Sequence, residues 1–348
     1  MKDLFHTDSQ AKKIAILRAL YLGDMLCCTP ALRALRHYYK NAEITLIGLP
    51  WAHKFVKRYG RYIDRFIPFP GYQGLPEQVA DPGEVDDFIV RMKNERFEIL
   101  FQMQGDGTVV NKMLQMYEPK LLIGFTPGNP IIQNAQKLIH YPESLPEVLR
   151  HLTLLQAAGI PSCGTALEFP LISQDYRAFK SCNLPERYVC IHPGSRSSSR
   201  RWHPKYFAAI ADYYAVKGLL PVITGTEDEI PISREVLQYM QEPAIDTTGM
   251  TNLGTIGLII KNAQALISNC TGVSHIAAAL RTPSFIISMD GEPKRWSPLN
   301  KFLHYVYDWK TDPVFTKAFS SCTLFLDNLL SHSHAHSQIN TVNLKRVS

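Results

Sequence analysis

The run IAILRALYLGDMLCCTPALRALR, residues 14–36, begins with four apolar residues, passes through Leu22-Gly23-Asp24 and enters a helically spaced stretch at Thr29. It reads as a buried strand, a Gly-Asp turn and a helix, with Pro30 tolerated in the helix's first turn. The plan returns in YVCIHPGSRSSSRRWHPKYFAAIADYYAV, residues 188–216. There the expected strand Tyr188–His192 leads through a polar loop into an expected helix, Pro204–Val216. Two such openings, each followed by further alternation, predict parallel sheets covered by helices on both faces.

Working outward from the first run, short apolar segments at 44–47, 65–68, 99–102 and 121–125 are expected strands. Helices are expected near 52–59, 84–94, 108–116 and 144–158, the last ended by Gly159. Residues 160–186 mix Pro, Ser, Gly and Cys around a short apolar piece and read as a linker. Beyond the second run, strands are expected at 219–224, 265–268 and 284–288. Helices are expected at 231–240, 253–261, 272–280 and 320–330. The fold class is therefore α/β, with two doubly wound, Rossmann-like domains, 1–170 and 171–348, facing a cleft. Ligands in such folds bind beyond the carboxyl ends of the strands.

A chain of 348 residues with 45% hydrophobic and 20% charged residues is a globular composition with enough apolar material for two cores. The formal charge of +6 is spread over short clusters such as Arg33/Arg36/His37/Lys40 and Lys54/Lys57/Arg58/Arg61. Such a surface suits nucleotide phosphates, acidic glycolipid or an anionic membrane face, or it is a solvated basic face without a partner. No recognised nucleic-acid module is present, so no nucleic-acid partner is expected. The seven cysteines lack framework spacing and read as reduced thiols. The first residues are polar without an apolar signal core, and no apolar run approaches the roughly 20 residues that span a bilayer. A cytoplasmic protein is expected, either free or peripheral at the cytoplasmic face of the inner membrane.

The candidate site residues follow expected strands. Asp24 lies where a ligand would meet it, or serves as a helix N-cap. His192-Pro193-Gly194-Ser195-Arg196, with Arg200-Arg201-Trp202, offers hydroxyls and guanidinium forks at a strand end, as a diphosphate requires; the alternative is a solvated loop. Asn269-Cys270-Thr271-Gly272-Val273-Ser274-His275 gives a second strand end before an Ala-rich helix. Taken alone, His275 reads as a satisfied core histidine. Glu227, in the acidic trio 227–229, is a helix-start carboxylate able to accept from a ribose. His332, His334 and His336 read as a surface tract and not as metal ligands, and no metal site is expected. Neither a G-x-G-x-x-G fingerprint nor a nucleophile elbow nor a Walker loop appears.

Together these segments resemble the ADP-heptose:lipopolysaccharide heptosyltransferases, glycosyltransferase family nine. The likeness is carried by LRALYLGDMLCCTPALRALR, HPGSRSSSRRWHP and NCTGVSHIAAAL, with weaker echoes in QMQGDG, LIGF, EVLRHLTLLQAAGIP and WSP. The resemblance implies a GT-B type fold with the acceptor on the first domain and the nucleotide sugar on the second. It also implies an inverting, metal-independent transfer of a heptose from ADP-heptose to a lipopolysaccharide-type acceptor, without a cofactor. Asp24 is then the general base and Arg200 a phosphate contact. Ser195, Arg196, Glu227, Cys270, Thr271, Gly272 and His275 fall at or beside donor-contacting positions. Two departures stand out: Arg200 replaces the more usual Lys, and Cys270 replaces a carboxylate that a thiol does not match as an acceptor. A non-catalytic nucleotide-sugar-binding relative is the alternative that Cys270 supports. A nicotinamide-dependent oxidoreductase fits the alternation but lacks the glycine fingerprint.

Overall fold

The computed structural model describes residues 5–344, with side chains as far as Ser331. Its contacts divide the chain into two units, Met1–Pro170 and Leu171–Ser348. The first runs β1 (Lys13–Leu17), α1 (Leu22–Cys27), α2 (Thr29–Tyr38), β2 (Glu43–Gly48), α3 (His53–Arg58), β3 (Arg65–Pro68), α4 (Pro82–Glu95), β4 (Ile99–Gln102), α5 (Val110–Gln115), β5 (Leu121–Thr126), β6 (Ile131–Gln133), β7 (Gln136–His140) and α6 (Glu147–Ala157). Its seven-stranded sheet has the order β3-β2-β1-β4-β5-β7-β6, and pairing is parallel except between β6 and β7. Ile14, Ala15, Ile16 and Leu17 are all fully buried, as a strand covered on both faces must be. Leu17, Ile47, Ile67, Phe88, Leu100 and Leu114 share one core.

The second unit runs α7 (Ser173–Lys180), β8 (Tyr188–His192), α8 (Pro204–Val216), β9 (Leu220–Ile223), α9 (Ile230–Tyr239), β10 (Ile245–Asp246), α10 (Leu253–Asn262), β11 (Leu266–Asn269), α11 (Gly272–Leu280), β12 (Ser284–Ser288), α12 (Pro293–Trp296), β13 (His304–Asp308) and α13 (Phe315–Leu344). Its strands pair in parallel in the order β10-β9-β8-β11-β12-β13. Ile191, Trp202, Phe207, Val236, Ile267 and Phe285 form its core. Both units are thus doubly wound, the α/β architecture of the GT-B class.

Strand order reverses between β1 and β4 in the first sheet and between β8 and β11 in the second. These are the switch points at which loops part to opposite faces and leave room for a ligand. Asp24 follows β1, the Ser195–Arg200 loop follows β8, and Cys270 follows β11.

Some local expectations change. Leu22-Gly23-Asp24 is not a loop: it is the first turn of α1, where Met25 N–H bonds the Tyr21 carbonyl at 3.0 Å. Burial of Met25, Leu26 and Cys27 holds this short helix in the interior, against α2 and α6. Tyr21 is its N-cap, so Asp24 is not one. The expected linker carries α7, whose Asp175 carboxylate accepts from the Ile172 N–H at 2.9 Å. The β6–β7 hairpin and β13 escaped the sequence reading because their apolar runs are only two or three residues long. The last helix starts earlier and runs further than 320–330. His332, His334 and His336 belong to it, and the reading of their side chains lies outside the described residues. No described helix is long and apolar enough to cross a membrane.

The basic clusters are partly internal to the fold. Arg33 and Arg61 both pair with Glu168, Arg36 pairs with Asp64, and Arg58 donates to the Pro170 carbonyl at 2.6 Å. Arg33, Arg58 and Arg61 thereby hold the end of the first unit in place.

Candidate functional site

In the first unit, β1 delivers Arg18 one residue past its end, with the Arg18 N–H still bonded to the Ile47 carbonyl at 3.0 Å. The Arg18 side chain is fully buried. Its Nε and Nη2 donate to the Asp24 main-chain carbonyl at 3.0 and 2.7 Å, and Nη2 also donates to Glu147 at 3.2 Å. The Asp24 carboxylate lies 4.0 Å from Arg18 Nη2 and keeps 23% side-chain exposure. It is therefore a partly solvated carboxylate held over a buried cation at a strand end.

Behind Arg18, Glu147 on α6 faces Arg150 at 3.3 Å and His151 at 3.4 Å. Burial, and next the nearby Arg18 charge, push His151 down to about 4, so the ring is neutral at pH 7. In front, the Tyr21 hydroxyl donates to the Glu77 carbonyl at 3.0 Å. Burial raises the Glu77 carboxyl above its ordinary value, with Asp24 adding to the effect, and its Oε2 is buried without a hydrogen-bond partner.

In the second unit, buried Asn269 stitches the two loops at the switch point. Its side chain accepts from Trp202 N–H at 2.9 Å and donates to the Pro193 carbonyl at 2.7 Å. Arg201 Nε donates to the Ser195 carbonyl at 2.7 Å, closing the loop on itself. Ser195 is buried, whereas Arg196 and Arg200 are exposed. Arg200 Nε stands 3.3 Å from Asp290, on the loop after β12. Burial, and then Asp290, raise the Cys270 thiol to about 12, so it is protonated at neutral pH.

Thr271 is the N-cap of α11 and makes no side-chain cap bond; its hydroxyl oxygen is buried without a hydrogen-bond partner. Gly272 opens that helix. His275 sits in the second turn, 4% exposed, with its ring centroid 6.4 Å from that of Trp296. Glu227 is exposed on a short turn after β9, and Glu229 is the inward member of its trio. The Glu229 carboxylate accepts from Thr226 N–H at 2.8 Å and lies 3.8 Å from His192. It also packs on Gly194, where an added Cβ would meet it at 2.2 Å.

The structure thus brings Arg200 and Cys270 to one place and ties Ser195 to the same loops, while no bond or ion pair joins Glu227 to them. Asp24 belongs to the other unit. Sequence reading missed Asp290, Arg18 and Glu77, and it named Asn269 and Glu229 only as members of their segments, since only pairing between distant elements reveals what these side chains hold. Among the described residues, no group of three or more His, Cys, Asp or Glu side chains is placed to hold a metal ion.

The chain resembles lipopolysaccharide heptosyltransferase 3 of Escherichia coli, with 27% identity over 42% of this chain and 46% of that protein. The chain therefore spans about half the length of that relative. A solved glycosyltransferase family 9 structure from Veillonella parvula shares the fold at a TM-score of 0.75 with 15% identity, covering 93% of this chain and 99% of that one. The E. coli ADP-heptose lps heptosyltransferase II structure does so at 0.69 with 17% identity, covering 91% and 99%. The family model for glycosyltransferase family 9 (heptosyltransferase) matches residues 87–318. That span takes in the later strands of the first sheet and the whole of the second, loops and switch point included, and on it this chain is a member of glycosyltransferase family 9.

Proposed function

We propose that this chain transfers a heptose from ADP-heptose to a lipopolysaccharide-type glycolipid, in a single displacement that inverts the anomeric centre and needs no metal. The observation that carries the reading is Asp24: a partly exposed carboxylate, anchored through its own main chain, beyond the strand beside a switch point in a chain of this family. Asp24 takes the proton of an acceptor hydroxyl as that oxygen bonds to the anomeric carbon. The bond from that carbon to the diphosphate breaks, and negative charge grows on the leaving group. Arg200, Ser195 and the main-chain N–H groups at Thr271-Gly272 are suited to receive that charge. Arg196, Glu227 and His275 complete the proposed donor contacts. In this reading the first unit binds acceptor and the second binds donor, and acceptor binding brings the protein to the cytoplasmic face of the membrane.

The test is transfer itself. Purified protein, ADP-heptose and lipopolysaccharide lacking its heptoses should give a product heavier by one heptose, in the presence of EDTA. Loss of transfer on EDTA, restored by magnesium, contradicts the metal-free mechanism. Binding of the ADP-sugar without transfer to such an acceptor favours a non-catalytic relative.

A further inference from the structure

The titratable side chains around Asp24 form one electrostatic set. From β1 comes Arg18; from α6 come Glu147, Arg150 and His151; from α1 and its end come Cys27 and Cys28; and the loop before α4 adds Glu77. With His151 neutral and both thiols pushed up by burial, the charges facing Arg18 come from the Arg150 guanidinium and the carboxyl groups of Glu147 and Asp24. A guanidinium fully out of water is costly unless its N–H groups find partners. Arg18 finds three: the Asp24 carbonyl, the Met103 carbonyl at 2.5 Å and Glu147. Glu147 is in turn fixed by Arg150, which is tied to the Leu145 carbonyl at 2.9 Å.

From this geometry we infer that Arg18 is a positioning residue for the proposed base: its fork clamps the Asp24 main chain, its charge keeps the Asp24 carboxylate ionised, and Glu147 holds the fork in place. The inference rests on Asp24 being the base. An arginine suits both tasks, because its planar fork reaches one carbonyl with two N–H groups while its charge faces the carboxylate. A cation within about 4–6 Å lowers a carboxyl group by roughly one to three pH units. Glu147, of opposite sign behind the guanidinium, offsets part of that.

Two variants separate clamp from charge. Arg18→Lys keeps a cation and loses the fork; the acid limb of kcat for transfer from ADP-heptose should stay in place while kcat falls about tenfold. The double variant Arg18→Met/Glu147→Gln removes both charges and leaves Arg150 on the Leu145 and Glu143 carbonyls; its acid limb should move up by about one pH unit. KM for the donor should be unchanged in both. The titration of Asp24 is also read without turnover, from the carbon-13 carboxyl signal that Asp24→Asn removes, and it should move with the limb. An Asp24 titration unmoved in the folded double variant, or wild-type kcat in Arg18→Lys, overturns the inference. Should the double variant not fold, the Arg18→Lys kcat decides. If the wild type gives no transfer, the functional reading fails, and the carboxyl titration still judges Arg18 on its own.

Discussion

Arg200 is the residue whose setting most alters what its position implied. Its guanidinium is half exposed and already faces Asp290, so a diphosphate must share or displace that carboxylate. Arg200→Ala should weaken nucleoside diphosphate binding by about 1.5–3 kcal/mol and leave the bare nucleoside unaffected, as calorimetry would show. Asp290→Asn should act in the opposite sense, tightening the diphosphate by about 0.2–1 kcal/mol, the usual range for an exposed ion pair. Cys270 gains a new meaning from the same neighbour. A carboxylate placed at 270 would meet Asp290 and Glu292, both of which already act on the thiol. Cys270→Asp should therefore tighten an ADP-sugar more when combined with Asp290→Asn than alone. Additive effects in that double-mutant cycle would mean the two sites do not interact.

At the scale of elements, strands buried on both faces were legible because their apolar runs are continuous, as in Ile14–Leu17 and Ser284–Ser288. The β6–β7 hairpin was not, since Gln133, Gln136 and Lys137 carry no apolar alternation. Of the site, the residues at strand ends could be read from order along the chain. Arg18 and Asp290 could not, nor could the bonding of Asn269, because their partners come from elements far apart in sequence. Helix α6 carries a testable consequence of this hidden bonding. The His151 ring is held down to about 4 in the folded protein, against about 6.5 unfolded. Below the unfolded value, the unfolded chain takes up a proton that the folded one refuses, so stability is full above about pH 6.5 and falls as pH drops toward 4. The unfolding free energy should lose about 2 kcal/mol between pH 7 and pH 5 from this group, and His151→Gln should remove that part of the slope. In the second unit, Gly194→Ala drives a methyl into the Glu229 carboxylate. It should cost about 1–3 kcal/mol in denaturant unfolding, or displace the loop that follows β8.

At the scale of the molecule, each doubly wound unit places its candidate chemistry at its own switch point: a carboxylate on the first, anion-binding groups on the second. The two strand–loop–helix openings lead to the same expectation, because parallel sheets put loops of this kind at one end of the strands. What the openings could not disclose is the buried charge beneath Asp24, on which the account of the base depends. The most direct measurement is the single-turnover rate of heptose transfer from ADP-heptose by Asp24→Asn beside the wild type, with donor affinity measured in parallel. With Asp24 as the base, the rate should be lower by about two to four orders of magnitude with donor affinity unchanged. A wild-type rate in Asp24→Asn would contradict that assignment.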